Sequence, residues 1–221
     1  MDMLIIIASL VITLGAQAYI NSNYNKTRKI NINSNMKGCD IARLILDKNG
    51  LNNVKVVEAS GILSDHYDPR RKTVNLSPEV YAKASVAAAS VAAHECGHAI
   101  QDKEGYLFLR LRHSLVPFVN FASYAGYIAV LIGLFMSAFN FIWFGILMEC
   151  IILFFQLVTL PVEFNASSRA LENLVNFNIV NDKEIVYSKK MLFAAALTYV
   201  ASVAAAVLQI VRLLLIARRN D

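Results

Sequence analysis

"LVPFVNFASYAGYIAVLIGLFMSAFNFIWFGILMECIILFFQLVTLPV", residues 115–162, carries a single charged side chain, Glu149. A helix needs about 20 predominantly apolar residues to cross a bilayer. The run is too long for one crossing and suits two, joined near Phe139-Asn140. A chain that crosses twice returns to the side it left. The segments before Leu115 and after Val162 therefore share one side of the membrane, and the fold reading rests on that parity.

Two further apolar segments lie outward of this hairpin. Residues 3–20 hold no charge, and residues 191–216 hold one, Arg212, before ending in Arg218-Arg219. Ala16-Gln17-Ala18 mimics a signal-peptidase site. A secretory signal wants a positive n-region, however, and the only early charge is Asp2, with Lys26, Arg28 and Lys29 coming after the segment. Residues 3–20 read as an uncleaved anchor. The composition agrees with membrane spans: 57% of residues are hydrophobic and 17% charged, and the mean hydropathy is +0.48. Soluble domains average about 45–50% apolar and about 25% charged. The net charge of +5 comes with no basic tract interleaved with aromatics, so it reads as topology bias and not as nucleic-acid binding. Cys39, Cys96 and Cys150 are too few and too scattered for a disulfide framework, and read as inert thiols.

Residues 21–114 are polar enough for a folded domain outside the bilayer. A helix of about ten residues ends at Asn49-Gly50, and a strand is expected at 54–58. A hairpin comes next, with arms near 61–66 and 72–76 and a turn at Asp68-Pro69-Arg70-Arg71. Ser77-Pro78-Glu79 opens a helical region with serine as cap and proline at the first position. Residues 84–101 are alanine-rich and flanked by Lys83 and by Asp102, Lys103 and Glu104. They read as a buried helix of this domain, not a span.

That helix carries "HECGH", residues 94–98. Side chains four apart lie one above the other on a helix face, so His94 and His98 can reach one tetrahedral Zn²⁺. Zinc lowers the pKa of bound water towards about 7, and Glu95, beside the first ligand, is placed to take that water's proton during attack on a peptide carbonyl. Gly97 costs about 1 kcal/mol of helix propensity against alanine, and its bare Cα predicts close packing by another element near the metal. The bland alternative is a helix whose histidines only satisfy buried polar contacts. A catalytic zinc needs three protein ligands. Six residues beyond His98 stands Glu104, in a charged turn, so the third ligand lies farther along. The parity of the two spans makes Glu163, the first charged residue after the run, the best third ligand. Its alternative role is an ordinary first-turn glutamate at a helix N-terminus. Glu149 would sit within the bilayer and is left out of the metal site.

Taken together, "GILSDHYDPRRKTVNLSPEVY" (61–81), "AAHECGHAIQ" (92–101), "LVTLPVEFNASSRAL" (157–171) and "AAALTYVA" (194–201) are similar to the YugP-type neutral zinc metallopeptidases of bacteria. The resemblance covers the chain from about residue 60. That family resembles in outline the HtpX-type and CAAX-prenyl membrane proteases, gluzincins with a glutamate third ligand. The resemblance implies one zinc per chain, held by His94, His98 and Glu163, with Glu95 as catalytic base. In those relatives an aspartate stands four residues after the ligand glutamate. Here that position is Ser167, so Ser167 and Arg169 are the candidates for contacts behind the ligands. His66 and Tyr67, in the polar cluster of the hairpin, are candidates for oxyanion stabilisation or substrate binding. "KTVNLS" (72–77) is a candidate edge for β-addition of an extended substrate. His113 reads as an interfacial residue.

The expected fold is a mostly α integral membrane protein, with about four transmembrane helices and a zincin-like α+β catalytic domain carrying a small sheet or hairpin. The expected organisation is an anchor at 3–20, the catalytic domain at 21–114, the two-span hairpin at 115–162, a third-ligand helix and polar segment at 163–190, and a last span at 191–216. Lys26, Arg28, Lys29, Arg110, Arg112, Arg169, Lys183, Lys189 and Lys190 cluster on the site side; Arg218 and Arg219 lie opposite. The positive-inside rule then sets the catalytic domain in the cytoplasm and both termini outside. The expected activity is that of a multi-pass cell-membrane zinc metalloendopeptidase acting on peptide or protein substrates, membrane proteins among them. The rival readings are a metal-binding scaffold or sensor without turnover, and a site-2-type intramembrane protease. Glu95, which a pure metal site does not need, favours catalysis.

Overall fold

The computed structural model describes residues 2–136 and 138–218. In chain order its elements are α1 (Asp2–Thr27), α2 (Gly38–Lys48), β1 (Lys55–Glu58), β2 (His66–Asp68), β3 (Thr73–Leu76), α3 (Pro78–Ala82), α4 (Val86–Lys103), α5 (Leu107–Phe135), α6 (Phe139–Asn176) and α7 (Asp182–Arg218). Helices α1, α5, α6 and α7 are long and apolar enough to cross a membrane; α4 is not among them. The chain is mostly helical with one small sheet, and it divides into two compact units.

One unit is apolar, built from the residues up to Ala18, Arg110–Pro161, and those from Leu197 on. Ile142, Ile146, Leu213 and Ala217 form a small buried cluster within it. Phe118, Phe121 and Tyr124 on α5 are 64%, 64% and 76% exposed. Aromatic exposure of that extent on one helix suits a lipid environment and not water.

The other unit, Tyr19–Leu109 with Val162–Ala196, has a conventional core. On α2, Ile41, Ala42, Ile45 and Leu46 are wholly buried, a one-sided stripe at helical spacing. They meet α4, whose Ala88, Ala89, Ala92, Ala93 and Ala99 are equally buried and whose small side chains let neighbours approach closely. The sheet has the order β1-β3-β2, with β1 parallel and β2 antiparallel to β3. Val74 and Leu76 of β3 point into the core, alternating with half-buried Thr73 and Asn75. Three helices here close with the same cap. An amide just beyond the helix end bonds back to a carbonyl of the last turn, from Leu51 to Leu46, Tyr106 to Gln101 and Ile179 to Leu174. The preceding residues, Gly50, Gly105 and Asn178, take the positive φ this motif requires.

Several expectations are corrected. Glu163 does not open a new helix: α6 runs unbroken through Pro161 to Asn176. The reason is a stripe at i, i+4, i+8 and i+12, namely Val162, Ala166, Ala170 and Leu174, every one buried. Packing along that stripe outweighs the hydrogen bond proline removes. Helix α7 begins at Asp182, where Asn181 Oδ1 accepts from the Lys183 and Glu184 amides, and contains the apolar block 191–216. The first hairpin arm is β2 at 66–68, not 61–66, because Gly61 and Leu63 have positive φ and bend the chain. "KTVNLS" is no sheet edge: β3 is the central strand and both its sides are paired. Ser77 precedes α3 as expected, with Pro78 at its start, yet its hydroxyl donates to Asp65 instead of capping. Ser85 is the serine that caps, accepting from the Ala88 amide at 3.2 Å at the head of α4.

Leu174, fully buried on the α6 stripe, tests this packing. Replacing it with alanine is expected to cost about 2–5 kcal/mol, read as a shift of the denaturation midpoint of the detergent-purified chain. A cost below about 0.5 kcal/mol would mean that the end of α6 is not packed as described.

Candidate metal centre

Helix α4 stacks His94 and His98 on one face, with ring centroids 4.7 Å apart and planes at 84°. Glu163 enters from α6, its Oε2 at 3.3 Å from His94 Nε2 and 3.7 Å from His98 Nε2. One donor atom from each of the three lies within 4.8 Å of the others. Tetrahedral zinc with bonds of about 2.0–2.2 Å sets its ligand atoms roughly 3.3–3.6 Å apart. The donor set is two imidazoles and a carboxylate, and its two carboxylate-to-imidazole spacings lie in or close to that range.

The burial carries the same message. The Glu163 side chain is 4% exposed, and those of His94 and His98 are 16% and 11%. A carboxylate taken so far out of water costs several kcal/mol unless positive charge meets it. For His98, burial alone would drive the imidazole pKa down. The Glu163 hydrogen bond and the nearby Glu95 and Glu163 charges outweigh that and leave it above its ordinary value. The buried carboxylate thus draws positive charge to the point where a cation fits.

Both histidines are held from behind, so that Nε2 faces inward. His98 Nδ1 lies 3.0 Å from Gln101 Oε1. The Gln101 amide is oriented by two donations from its nitrogen, to the Val162 carbonyl at 2.8 Å and Asn165 Oδ1 at 2.9 Å. Its oxygen must then accept, which places the proton on His98 Nδ1 and leaves the Nε2 lone pair free for a metal. Asn165 Oδ1 also accepts from Arg169 Nε at 2.7 Å, and Arg169 Nη2 reaches Glu104 Oε2 at 2.6 Å. That hydrogen bond holds the Glu104 carboxyl below its ordinary range. His94 Nδ1 has Ser167 Oγ at 3.2 Å.

Gly97 explains how α6 comes so close. A Cβ there would stand 2.6 Å from the Ala166 carbonyl oxygen and 3.1 Å from its Cα, backbone atoms that cannot yield. The expected close packing is therefore present, and the element that packs is the one bearing Glu163.

A family described as "Putative neutral zinc metallopeptidase" matches residues 2–218. The chain belongs to that family. It is also 44% identical over 210 residues to "Putative membrane protease YugP" of Bacillus subtilis (strain 168), covering 95% of this chain and 93% of the relative. No solved structure matches. The three clustered donors, His94, His98 and Glu163, could hold a metal ion.

The remaining sequence candidates divide. Glu95, 8% exposed, lies beside the cluster without joining it. Ser167 reaches His94 directly, and Arg169 reaches His98 only through Asn165 and Gln101. Tyr67 donates its phenol to Asp102 Oδ2 at 2.7 Å, and burial together with that carboxylate pushes its pKa up. Lys72 shares the same carboxylate oxygen. His66 is exposed, its Nδ1 against the Ser64 carbonyl at 2.7 Å. Neither joins the donor cluster. Glu149 lines a cavity of the apolar unit together with Gln209 and Arg212. Cys96 is buried and its thiol pKa is pushed up, by burial first and then by Glu95, so it is inert. Sequence reasoning missed Gln101 and Asn165. Their signal was spacing: Gln101 stands three residues after His98 and Asn165 four before Arg169.

Two substitutions separate orientation from access. Gln101→Ala frees the His98 ring and is expected to weaken zinc binding about 10–100-fold while the chain stays folded, measured by competition with a chromogenic chelator. Gly97→Ala pushes α6 off α4 and is expected to remove zinc altogether. Full zinc affinity in Gly97→Ala would show that the two helices do not meet there.

Proposed function

We propose that the chain is a membrane-bound zinc metalloendopeptidase of the gluzincin type, with His94, His98 and Glu163 as its zinc ligands and Glu95 as its general base. The observation that carries this reading is the convergence of three donor side chains, largely out of water and from helices far apart in sequence, within 4.8 Å of one another. Family membership supports the metal and the reaction class.

Held by His94, His98 and Glu163, zinc would supply Lewis acidity towards a water molecule and a peptide carbonyl. The chain's own groups do the rest. His94 and His98 present Nε2, with Gln101 and Ser167 fixing ring orientation. Glu163 brings the negative charge that offsets part of the cation's. Glu95, next to His94 on α4, takes a proton from the attacking water and passes it to the departing amide nitrogen, which must be protonated to leave. Water adds across the C–N bond, giving one carboxylate and one ammonium group.

The four apolar helices support a multi-pass location in the cell membrane, with bilayer lipid around the spans. The basic residues beside the site support a cytoplasmic catalytic unit of zincin-like type and termini outside. Of the two arginines assigned to the opposite side, Arg219 lies outside the described residues. Substrates are peptides or protein segments, those near the membrane being the nearest at hand. The site-2 reading loses ground because α4 is not among the helices long and apolar enough to cross a membrane.

The test is cleavage of an unfolded protein by purified wild type and Glu95→Gln, with zinc content determined on both. The expected outcome is about one zinc in each and a loss of at least about 100-fold in rate for the variant. Zinc in both with equal rates would remove Glu95 from catalysis. Zinc in both with no cleavage by either would favour a metal-binding scaffold or sensor.

A further inference from the structure

Behind His98 the side-chain contacts close into a circuit that lies wholly within one unit. It runs from His98 and Gln101 on α4 to Asn165 and Arg169 on α6. It returns through Arg169 to Glu104, the residue that ends α4. Two members are primary amides, whose oxygen and nitrogen ends have nearly the same shape and can face either way. One member has no such freedom. The Arg169 guanidinium has donors only, so whatever it meets must present an acceptor.

Arg169 Nε donates to Asn165 Oδ1 at 2.7 Å, which fixes the oxygen end of Asn165. The same oxygen accepts from Gln101 Nε2 at 2.9 Å. Turned the other way, Asn165 would set its own N–H groups against two donors. The Gln101 nitrogen gives one hydrogen to the Val162 carbonyl and the other to Asn165. With one acceptor that amide can pivot; with two its plane is held, and Oε1 stays 3.0 Å from His98 Nδ1. Gln101 is wholly buried, so an N–H that loses Asn165 finds no water in its place. Arg169 is itself braced, with Nη2 on Glu104 Oε2 at 2.6 Å and its side chain only 21% exposed. A planar guanidinium fork can serve both partners at once, which the point charge of a lysine does not. The His94 side has no counterpart. The Ser167 hydroxyl can turn its hydrogen to donate or accept, so it imposes no direction on His94 Nδ1.

From this circuit we propose that Arg169 is a positioning residue of the metal centre, its Nε–H setting the direction of the Asn165 and Gln101 amides and so holding His98 with Nε2 towards the site. The inference rests on the reading above in taking the donor cluster as a zinc seat, and it adds the residue that orders one ligand. The ion pair with Glu104 is the brace and not the working contact. Glu104 is 52% exposed, and exposed pairs contribute little. The rival role for Arg169 is that of a plain tie between the end of α4 and α6.

The experiment measures zinc affinity of the full chain in detergent by competition with a chromogenic chelator. Arg169→Met keeps the stem, removes the donors and is expected to weaken zinc about tenfold. In a Gln101→Ala background the same change is expected to add less than about twofold, because the path to His98 is already cut. Glu104→Ala removes the brace, leaves the Nε–H in place and is expected to stay within about threefold of wild type. Asn165→Leu is expected to match Arg169→Met. Asn165→Asp keeps an acceptor for both donors and is expected to restore most of that loss. In zinc-loaded wild type with ¹⁵N-labelled histidine, the His98 Nδ1–H should give a resonance protected from exchange with water, and Arg169→Met should lose it.

Equal losses from Arg169→Met with and without Gln101 overturn the proposal, since the arginine would then act by another route. So does a Glu104→Ala loss as large as that of Arg169→Met, which would make the ion pair the positioning contact. An unchanged His98 resonance in Arg169→Met overturns it as well. Should Arg169→Met fail to fold, Asn165→Leu against Asn165→Asp decides: equal affinities in that pair end the proposal. The two readings fail separately. Zinc binding that follows the circuit without cleavage by wild type sinks the peptidase and keeps the positioning role; cleavage by wild type with additive losses in the variants does the reverse.

Discussion

The contact on which the site depends is backbone against backbone, α6 at Ala166 lying on α4 at Gly97. Zinc-ligand spacing leaves an error of only a few tenths of an ångström, and two helices with ordinary side chains between them hold their axes about 8–10 Å apart. Removing the Cβ at Gly97 and keeping neighbours small, with Ala93 and Ala170 buried nearby, brings the α6 backbone close enough for a glutamate to reach two histidines. The helix-propensity cost of that glycine, about 1 kcal/mol, falls in the one turn where it governs geometry.

Once α6 is that near, burial dictates the electrostatics. Glu163 cannot be solvated, so its charge must be met by imidazolium or by a cation. The chain surrounds the donors with neutral dipoles and not with further charge. Gln101, Asn165 and Ser167 orient the ligands, and the formal charges of Arg169 and Glu104 pair farther out. Behind His94 stands the Ser167 hydroxyl, a weaker partner than a carboxylate would be. The polar weight of the arrangement lies on the His98 side.

Much of this was legible in one dimension because helical and membrane periodicities are local. The run 115–162 suggested two apolar helices, HECGH put His94 and His98 on one helix face, and Gly97 announced a close neighbour. Errors arose where a nonlocal contact overrode a local rule. Pro161 followed by Glu163 reads as a helix start, but the stripe from Val162 to Leu174 is buried and the helix continues. Thr73–Leu76 reads as a sheet edge beside its hairpin partner, but β1 pairs with it in parallel from the other side, a long-range pairing no turn residue signals. Tyr67 looked available to a substrate, but Asp102, thirty-five residues on, accepts its hydroxyl.

The sequence by itself determined which segments are apolar enough for a bilayer and which residues have metal chemistry, because hydrophobic length and side-chain type are properties of the string. It also singled out Glu163, the first charge after the apolar run, as a candidate partner for the two histidines. Only the tertiary structure decided that Glu163 meets His94 and His98 and that Gln101 fixes the His98 tautomer. Those facts depend on how α4 and α6 pack, and packing distance is set by side chains facing one another across helices, which no single helix's sequence contains.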